Sequence, residues 1–281
     1  MSIRAQTERS ERRIDSAISD FEVELGRIVL NAQASVMSTL RNGLDLDDQS
    51  ARPYVKSTSK NVRIIDDLGV LFSKAMEESG YGKLVSEFAG SFGVNIKTFE
   101  RIMSSISGKL GTKSPMFGSR DVSYFDNVSK ATEESLKQVV SSAGQAARLQ
   151  ALMSMNGLPV DKLASLISNR LTASKSDARA IAATGISTFY RTVADNGYQK
   201  IEDNLKDTDV EIRYVYMGPP AGDRLIRPFC SKLMTKSEQG VTWNRKQIDA
   251  MNNQQIPNVF VTCGGFSCRH QWVIAIEGDT V

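Results

Sequence analysis

All three cysteines of the chain and its only histidine lie between residues 230 and 270. They belong to two short segments, Asp223–Cys230, which reads DRLIRPFC, and Cys263–Trp272, which reads CGGFSCRHQW. Most of the preceding sequence is polar and has the apolar spacing of amphipathic helices. A long helical region followed by a small cysteine-bearing module is typical of an assembly protein and not of a metabolic enzyme.

The bulk composition excludes several classes of protein. The length of 281 residues suits one large or two small domains, and the net charge of +3 does not by itself indicate a nucleic-acid-binding protein. An odd number of cysteines favours free thiols or metal ligands over a disulfide framework. Neither a signal peptide nor an apolar run of about 18 residues is present, so no membrane span is expected. We expect the protein to be made and kept in a cytoplasm, or in a particle assembled there.

The first part of the chain is predicted to be helical. Over residues 3–41, apolar side chains recur every three or four positions, which indicates one long helix with a narrow apolar stripe. Such a stripe suits packing either on the helix's own domain or on another subunit. Shorter helices are expected between residues 62 and 102. A longer one is expected over 124–155, where Gly144 argues against an unbroken helix.

Strand-like alternation occurs only in the C-terminal part of the chain. Two helices are expected before it, over 160–172 and 175–204, with Ser176 and Asp177 as the N-cap of the second. Strands are expected at Val210–Tyr216, Val259–Val261 and Trp272–Ile276. A short helix is expected between the first two strands, over residues 244–253.

The predicted fold class is therefore α+β. A mainly helical region, with a long first helix and two basic loops, occupies residues 1–158. A small C-terminal module occupies residues 159–281. Within that module, the helices of 160–204 precede a small mixed sheet in 206–281.

The candidate metal ligands are Cys230, Cys263, Cys268 and His270. Three thiolates and one imidazole form a common tetrahedral set for zinc, so zinc is the expected ion. Cys268 and His270 would project to the same side of an extended chain, and Gly264-Gly265 would let Cys263 fold back beside Cys268. The spacing C-x32-C-x4-C-x-H lacks a C-x-x-C pair. Buried free thiols with a hydrogen-bonded histidine, or a disulfide, therefore remain alternatives.

Two stretches of the helical region, 49–64 and 101–120, contain basic residues and no acidic residue. Pro53 with several hydroxyl side chains in the first, and Pro115 with three glycines in the second, favour loops. Such loops contact the phosphate backbone of DNA, an acidic protein surface, or only solvent. The candidate phosphate contacts are Arg52, Lys56, Lys60, Arg63, Lys109, Lys113 and Arg120.

Three arginines, Arg224, Arg227 and Arg269, flank the cysteine segments, and Trp272 closes the second of them. We expect these four residues in the core of the module, where guanidinium groups would bind carbonyls or carboxylates; phosphate contact is the alternative. No catalytic constellation is recognisable, because His270 has no nucleophile motif beside it and no phosphate-binding glycine motif follows a strand. The chain is therefore expected not to be an enzyme.

The two cysteine segments together resemble the Mu F-like minor head proteins of tailed bacteriophages. Asp223–Cys230 is similar to the D-R-x-x-R-P-x-C/H turn of that family, and Gly264–Trp272 is similar to its G-G-x-x-C-R-H-x-W ending. Ala178–Thr184 resembles a family helix that often reads A-x-x-I-A-R-T-E, with Ala183 and Gly185 in place of the arginine and glutamate. The resemblance covers about residues 160–281.

This resemblance implies a structural minor capsid protein that acts in head morphogenesis. Such a protein lies in the virion, at the portal vertex inside the capsid, after assembly in the host cytoplasm. The implied partners are the portal protein and the major capsid protein, with several copies around the portal and no membrane. Double-stranded DNA is a further candidate partner. The alternative function is a DNA-binding protein of the virion interior that is ejected with the genome.

Overall fold

The computed structural model of the protein describes residues 3–47, 53–93, 96–155, 158–219 and 226–276. Helices predominate in this part of the chain, with two pairs of short antiparallel strands. In chain order the elements are α1 (Ile3–Gly43), β1 (Leu46–Asp47), β2 (Tyr54–Val55), α2 (Ser59–Asp66), α3 (Leu68–Glu78), α4 (Tyr81–Gly90), α5 (Ile96–Lys109), α6 (Ser119–Met153), α7 (Val160–Leu205), β3 (Tyr214–Met217), α8 (Pro228–Glu238), α9 (Arg245–Asp249), α10 (Val259–Thr262) and β4 (Gln271–Ile274). The predicted α+β class is confirmed.

The chain forms two compact units, and each is assembled from separate stretches of sequence. The first unit comprises Met1–Ala17, Ala89–Thr132 and Ala182–Val281, and the second comprises Ile18–Phe88 and Glu133–Ile181. The long helices α1, α6 and α7 each contribute a segment to both units. The boundary expected between residues 158 and 159 from the resemblance stays a prediction.

The long helix expected over residues 3–41 is confirmed as α1, and its apolar stripe packs within the second unit. Phe21, Leu25 and Ile28 are almost completely buried on this stripe. Phe21 packs against Phe88 of α4, with ring centroids 4.7 Å apart. Full burial of each such side chain contributes about 1.5–3 kcal/mol to stability. Of the two alternatives for the stripe, the chain therefore uses packing on its own domain.

Helix α6 runs unbroken through Gly144, contrary to the expectation that this glycine interrupts it. The glycine marks a close crossing with α3, since a Cβ atom at position 144 would lie 3.0 Å from the Cα atom of Gly69 and 3.1 Å from Cβ of Phe72. Such distances are shorter than ordinary van der Waals contact. The loss of helix propensity at Gly144, about 1 kcal/mol, is therefore offset by the close packing of two helices in the second unit.

The first of the two predicted basic loops contains the start of a helix. Helix α2 begins at Ser59, because the hydroxyl of Thr58 accepts a hydrogen bond from the backbone N–H of Asn61. Lys60 and Arg63 consequently lie on α2 and not on a loop. Hydroxyl residues favoured a loop in the sequence analysis, but one of them, Thr58, is the N-cap of this helix.

The second basic stretch agrees better with its prediction. Helix α5 ends at Lys109, residues 110–118 have no regular structure, and Arg120 lies in the first turn of α6. The helices expected between residues 62 and 102 are α2 to α5. The break near the two glycines at positions 90 and 93 is confirmed, and a further break occurs at Asp67, between α2 and α3.

The two helices expected over 160–172 and 175–204 form one continuous helix, α7. Ser176 and Asp177 lie inside it and do not cap a new helix. Apolar burial continues through this region, since Leu171, Ala178 and Ala182 are each at most 1% exposed, and this burial outweighs the local polar composition. Among the described residues, no helix combines the length and the apolar character that a membrane span requires.

The sheet of the C-terminal module is smaller than expected. β3 and β4 pair antiparallel with Tyr216 opposite Trp272, and Trp243 adds an isolated antiparallel bridge to Tyr214. In the described residues this sheet is antiparallel, which corrects the predicted mixed sheet.

The segment Val259–Val261, predicted as a strand, begins the short helix α10 instead. Asn258 precedes it in the left-handed conformation, and its side-chain oxygen accepts a hydrogen bond from the backbone N–H of Val261. An N-terminal cap of this kind favours a helical turn over a strand. The turn buries Val259 and Phe260 and leads the chain into the second cysteine segment.

Candidate metal centre

Three of the four predicted metal ligands come together in the C-terminal module. Cys230 lies in the first turn of α8, Cys268 in the loop after α10, and His270 directly before β4. All three side chains are buried, and one ligand atom of each lies within 4.8 Å of the others. This Cys–Cys–His cluster can hold a metal ion.

The separations within the cluster suit a tetrahedral ion. The sulfur atoms of Cys230 and Cys268 are 3.7 Å apart, and Sγ of Cys268 is 3.6 Å from Nδ1 of His270. With metal–sulfur bonds of about 2.3 Å and a metal–nitrogen bond of about 2.05 Å, tetrahedral angles give separations of about 3.8 Å and about 3.6 Å. These two separations are compatible with a tetrahedral metal ion.

A second contact orients the imidazole of His270. Its Nε2 atom lies 3.2 Å from the carbonyl oxygen of Pro219, which can only accept a hydrogen bond. Nε2 therefore carries the proton in the neutral ring, and Nδ1 presents its lone pair towards Cys268. A histidine that binds a metal commonly donates its other ring N–H to such a carbonyl.

Gly264 lets the second cysteine segment approach α8. Its backbone N–H donates a hydrogen bond to Sγ of Cys268 over 3.2 Å. A Cβ atom at position 264 would lie 2.1 Å from Sγ of Cys230 and 3.1 Å from Sγ of Cys268. Only glycine fits between the two sulfurs, which gives a physical reason for the glycine at this position of the motif.

Cys263, the fourth predicted ligand, is not one of the three residues of this cluster, and its role as a ligand stays a prediction. Its buried Sγ lies 3.8 Å from the carbonyl oxygen of Phe260. Burial raises the pKa of the Cys263 thiol to about 12, which keeps it neutral. All three cysteines are free thiols, so the disulfide alternative is not formed.

The two thiols of the cluster differ in their tendency to ionise. A hydrogen bond from Cys230 lowers the pKa of Cys268, and His270 and Arg191 lower it further. The same shared hydrogen bond raises the pKa of Cys230, and burial adds to this effect. The thiolate is the form that binds metals, so one sulfur of the cluster already favours the binding of a cation.

Arg191 of α7 is a functional residue that the sequence reasoning missed. Its buried guanidinium donates hydrogen bonds to backbone carbonyls of the second cysteine segment and of α10, those of His270 (2.8 Å), Val261 (3.3 Å) and Cys268. This is the role that the sequence suggested for the flanking arginines. The available signal was weak: Arg191 stands between the apolar pairs Phe189-Tyr190 and Val193-Ala194, as a single basic residue among apolar neighbours.

The four residues expected in the module core are Trp272, Arg227, Arg269 and Arg224, and the three that the structure describes differ in their burial. Trp272 is 2% exposed, and its indole N–H donates to the carbonyl oxygen of Val259. Arg227 is half-buried, and its guanidinium donates to the carbonyl oxygen of Gly264 over 3.1 Å. Arg269 is exposed, which does not fit a core role. Arg224 lies outside the described residues.

The described candidates for phosphate contact all lie at the surface, namely Lys56, Lys60, Arg63, Lys109, Lys113 and Arg120. Arg52 lies outside the described residues. Lys60 forms an exposed ion pair with Asp45, with a nitrogen–oxygen distance of 2.7 Å. Exposure is required for phosphate contact, and it does not distinguish that contact from simple solvation.

Comparisons with protein families, curated proteins and solved structures find no match to this chain.

Replacing Arg191 tests its structural role. Arg191→Lys removes the planar fork and leaves buried carbonyls without a donor, each of which costs about 1–3 kcal/mol. We expect the free energy of unfolding, measured by urea denaturation, to fall by about 2 kcal/mol or more. The matched control is Arg179→Lys on the same helix, an exposed residue paired with Glu22, where we expect a change within about 0.5 kcal/mol. Equal effects of the two substitutions would contradict the role of Arg191.

Proposed function

We propose that this chain is a structural minor head protein of a tailed bacteriophage, held at the portal vertex inside the capsid. One observation carries the proposal. The two segments that resemble the Mu F-like family are distant in sequence, and their described residues meet at one site. There Arg227 donates a hydrogen bond to the carbonyl oxygen of Gly264, and Cys230 lies beside Cys268.

The contacts of the motif residues support a structural role for the module. Gly264 fits between the two sulfurs, His270 is oriented by Pro219, and Trp272 lies in the aromatic core. Each residue therefore stabilises the fold by packing, hydrogen bonding or the proposed metal binding. This pattern suits a protein that holds a position in a particle, and it does not require turnover of a substrate.

Zinc is the proposed ion of the Cys–Cys–His cluster. Two thiolates and an imidazole are a soft to borderline donor set that suits zinc and a tetrahedral arrangement. Cys230, Cys268 and Nδ1 of His270 would hold the ion and join α8 to the chain that enters β4. When bound, the ion would supply a cross-link within the module, because metal binding to such a site contributes to the free energy of folding.

Metal analysis tests the zinc proposal. The full-length protein, purified without chelators, should contain about one zinc ion per chain. Cys268→Ser should lose most of that zinc because it removes a central ligand, whereas Lys232→Ala, an exposed change on α8, should retain it. A native protein that neither contains zinc nor takes it up in titration would contradict the proposal and favour buried free thiols.

Portal association tests the function directly. Co-expressed with the portal protein of the same phage, the chain should migrate with the portal ring in size-exclusion chromatography, in several copies per ring. The portal protein of an unrelated phage, which lacks the matching surface, is the control and should not retain the chain. Mass spectrometry of purified particles should find the chain in virions or empty heads. Absence from both would refute the assignment.

DNA binding in the virion interior is the second candidate, favoured by the exposure of basic residues in the acid-free stretches. If they contact phosphate, affinity in a gel-shift titration should fall steeply with salt, and Lys109→Ala/Lys113→Ala/Arg120→Ala should reduce that slope by about 3. The matched control, Lys74→Ala/Lys83→Ala/Lys137→Ala, removes lysines that pair with glutamates at helical spacing. Equal slopes for both triple variants, or no binding at low salt, would rule this candidate out.

A further inference from the structure

A tetrahedral ion held by Cys230, Cys268 and His270 has one more ligand position to fill. The sequence suggests Cys263 for this position, but its sulfur lies 3.8 Å from the carbonyl oxygen of Phe260 and is not one of the three grouped ligand atoms. Structural zinc sites are normally closed by four protein ligands. The identity of the fourth donor therefore decides whether the site is a closed structural site.

The phenol oxygen of Tyr216 lies beside both sulfurs of the cluster. It is 3.4 Å from Sγ of Cys230 and 3.8 Å from Sγ of Cys268. An oxygen ligand at about 2.0 Å and a sulfur ligand at about 2.3 Å from the same tetrahedral ion would be about 3.5 Å apart. The distances of 3.4 Å and 3.8 Å lie on either side of that value.

We propose that Tyr216 is the fourth ligand of the metal site, which makes the set two cysteines, one histidine and one tyrosine. This inference rests on the zinc site proposed above. On binding, the sulfurs of Cys230 and Cys268 coordinate as thiolates, and any thiol proton still present passes to solvent. The phenol oxygen of Tyr216 coordinates as the phenolate, and its proton also passes to solvent.

The fold holds Tyr216 in the orientation that this role requires. The residue belongs to β3, is 1% exposed, and its backbone N–H donates to the hydroxyl of Ser237 over 2.9 Å. Its ring is parallel to the imidazole of His270, with centroids 5.2 Å apart and an interplanar angle of 3°. Trp272, its partner in β4, packs against it with the ring centroids 4.7 Å apart. The phenol oxygen is therefore directed at the sulfurs before any ion binds, and little reorganisation is needed.

An oxygen donor in place of a third sulfur has a measurable consequence. Cobalt(II) can replace zinc in tetrahedral sites, and its near-ultraviolet sulfur-to-metal charge-transfer absorption grows with the number of thiolate ligands. For the proposed set of two cysteines, one histidine and one tyrosine, we expect the charge-transfer intensity of two thiolate ligands. A site completed by Cys263 predicts the intensity of three.

Two single substitutions in the full-length chain separate the alternatives. Tyr216→Phe keeps the ring and its packing on His270 and Trp272, and removes only the oxygen. Cys263→Ser removes the alternative sulfur. We expect Tyr216→Phe to weaken zinc binding, measured by competition with a chelator, by about tenfold or more. It should also change the visible cobalt(II) spectrum, because water takes the fourth position. Cys263→Ser should leave the affinity and both cobalt(II) signals unchanged.

The outcomes also separate this inference from the zinc proposal. Circular dichroism and thermal unfolding of the metal-free proteins should show that both variants fold like the native chain. Native affinity and an unaltered cobalt(II) spectrum in Tyr216→Phe would overturn the assignment of Tyr216. Loss of one thiolate's charge-transfer intensity in Cys263→Ser would overturn it in favour of Cys263. A native chain that binds neither zinc nor cobalt(II) would overturn the zinc proposal, and this inference with it.

Discussion

The conformation of the C-terminal module depends on one buried guanidinium, that of Arg191. An isolated charge of this kind would cost several kcal/mol in the protein interior. Here three backbone carbonyls accept its hydrogen bonds, which offsets much of that cost. The dependence is mutual, because those carbonyls also need a hydrogen-bond donor. They belong to α10 and to the loop that carries Cys268 and His270, and neither segment is a strand of the small sheet. Helix α7 thereby fixes the backbone that positions two of the proposed metal ligands.

Aromatic packing stabilises the C-terminal module, because its short two-stranded sheet contributes little stability alone. A two-stranded antiparallel pair is at best marginally stable alone. Trp272 packs edge-on against Trp243, and Phe260 packs edge-on against Tyr214. The guanidinium of Arg245 lies 4.0 Å from the centre of the Phe260 ring and also pairs with two carboxylates of α7. Two arginines, Arg191 on α7 and Arg245 paired with its carboxylates, therefore anchor the module to the same helix.

The sequence predicts the periodic features of this fold much better than its tertiary ones. The stripe of α1 follows from side-chain spacing alone, and so does the helical character of the region before residue 158. The continuity of α7 does not, because Ser176 and Asp177 read locally as a cap while burial on both sides of them favours one helix. The metal site shows the same limit. Composition identifies Cys230, Cys268 and His270 as possible ligands, but it cannot predict whether Cys263 or Tyr216 completes the proposed set. That choice depends on the left-handed backbone at Cys263 and on the register of β3 with β4.

The position of the cluster in the fold argues for a cross-link within the module. Cys230 lies in the first turn of α8, whereas Cys268 and His270 precede β4, so an ion would join elements that the two-stranded sheet does not connect. The two thiols and the imidazole are buried, and the proposed closed set of protein ligands would leave no position for a substrate on the ion. In a site of this type the free energy of metal binding becomes free energy of folding. The proposed ion would thus stabilise the same loop that Arg191 holds from α7, and two independent restraints on one loop suit a rigid surface for contact with a larger assembly.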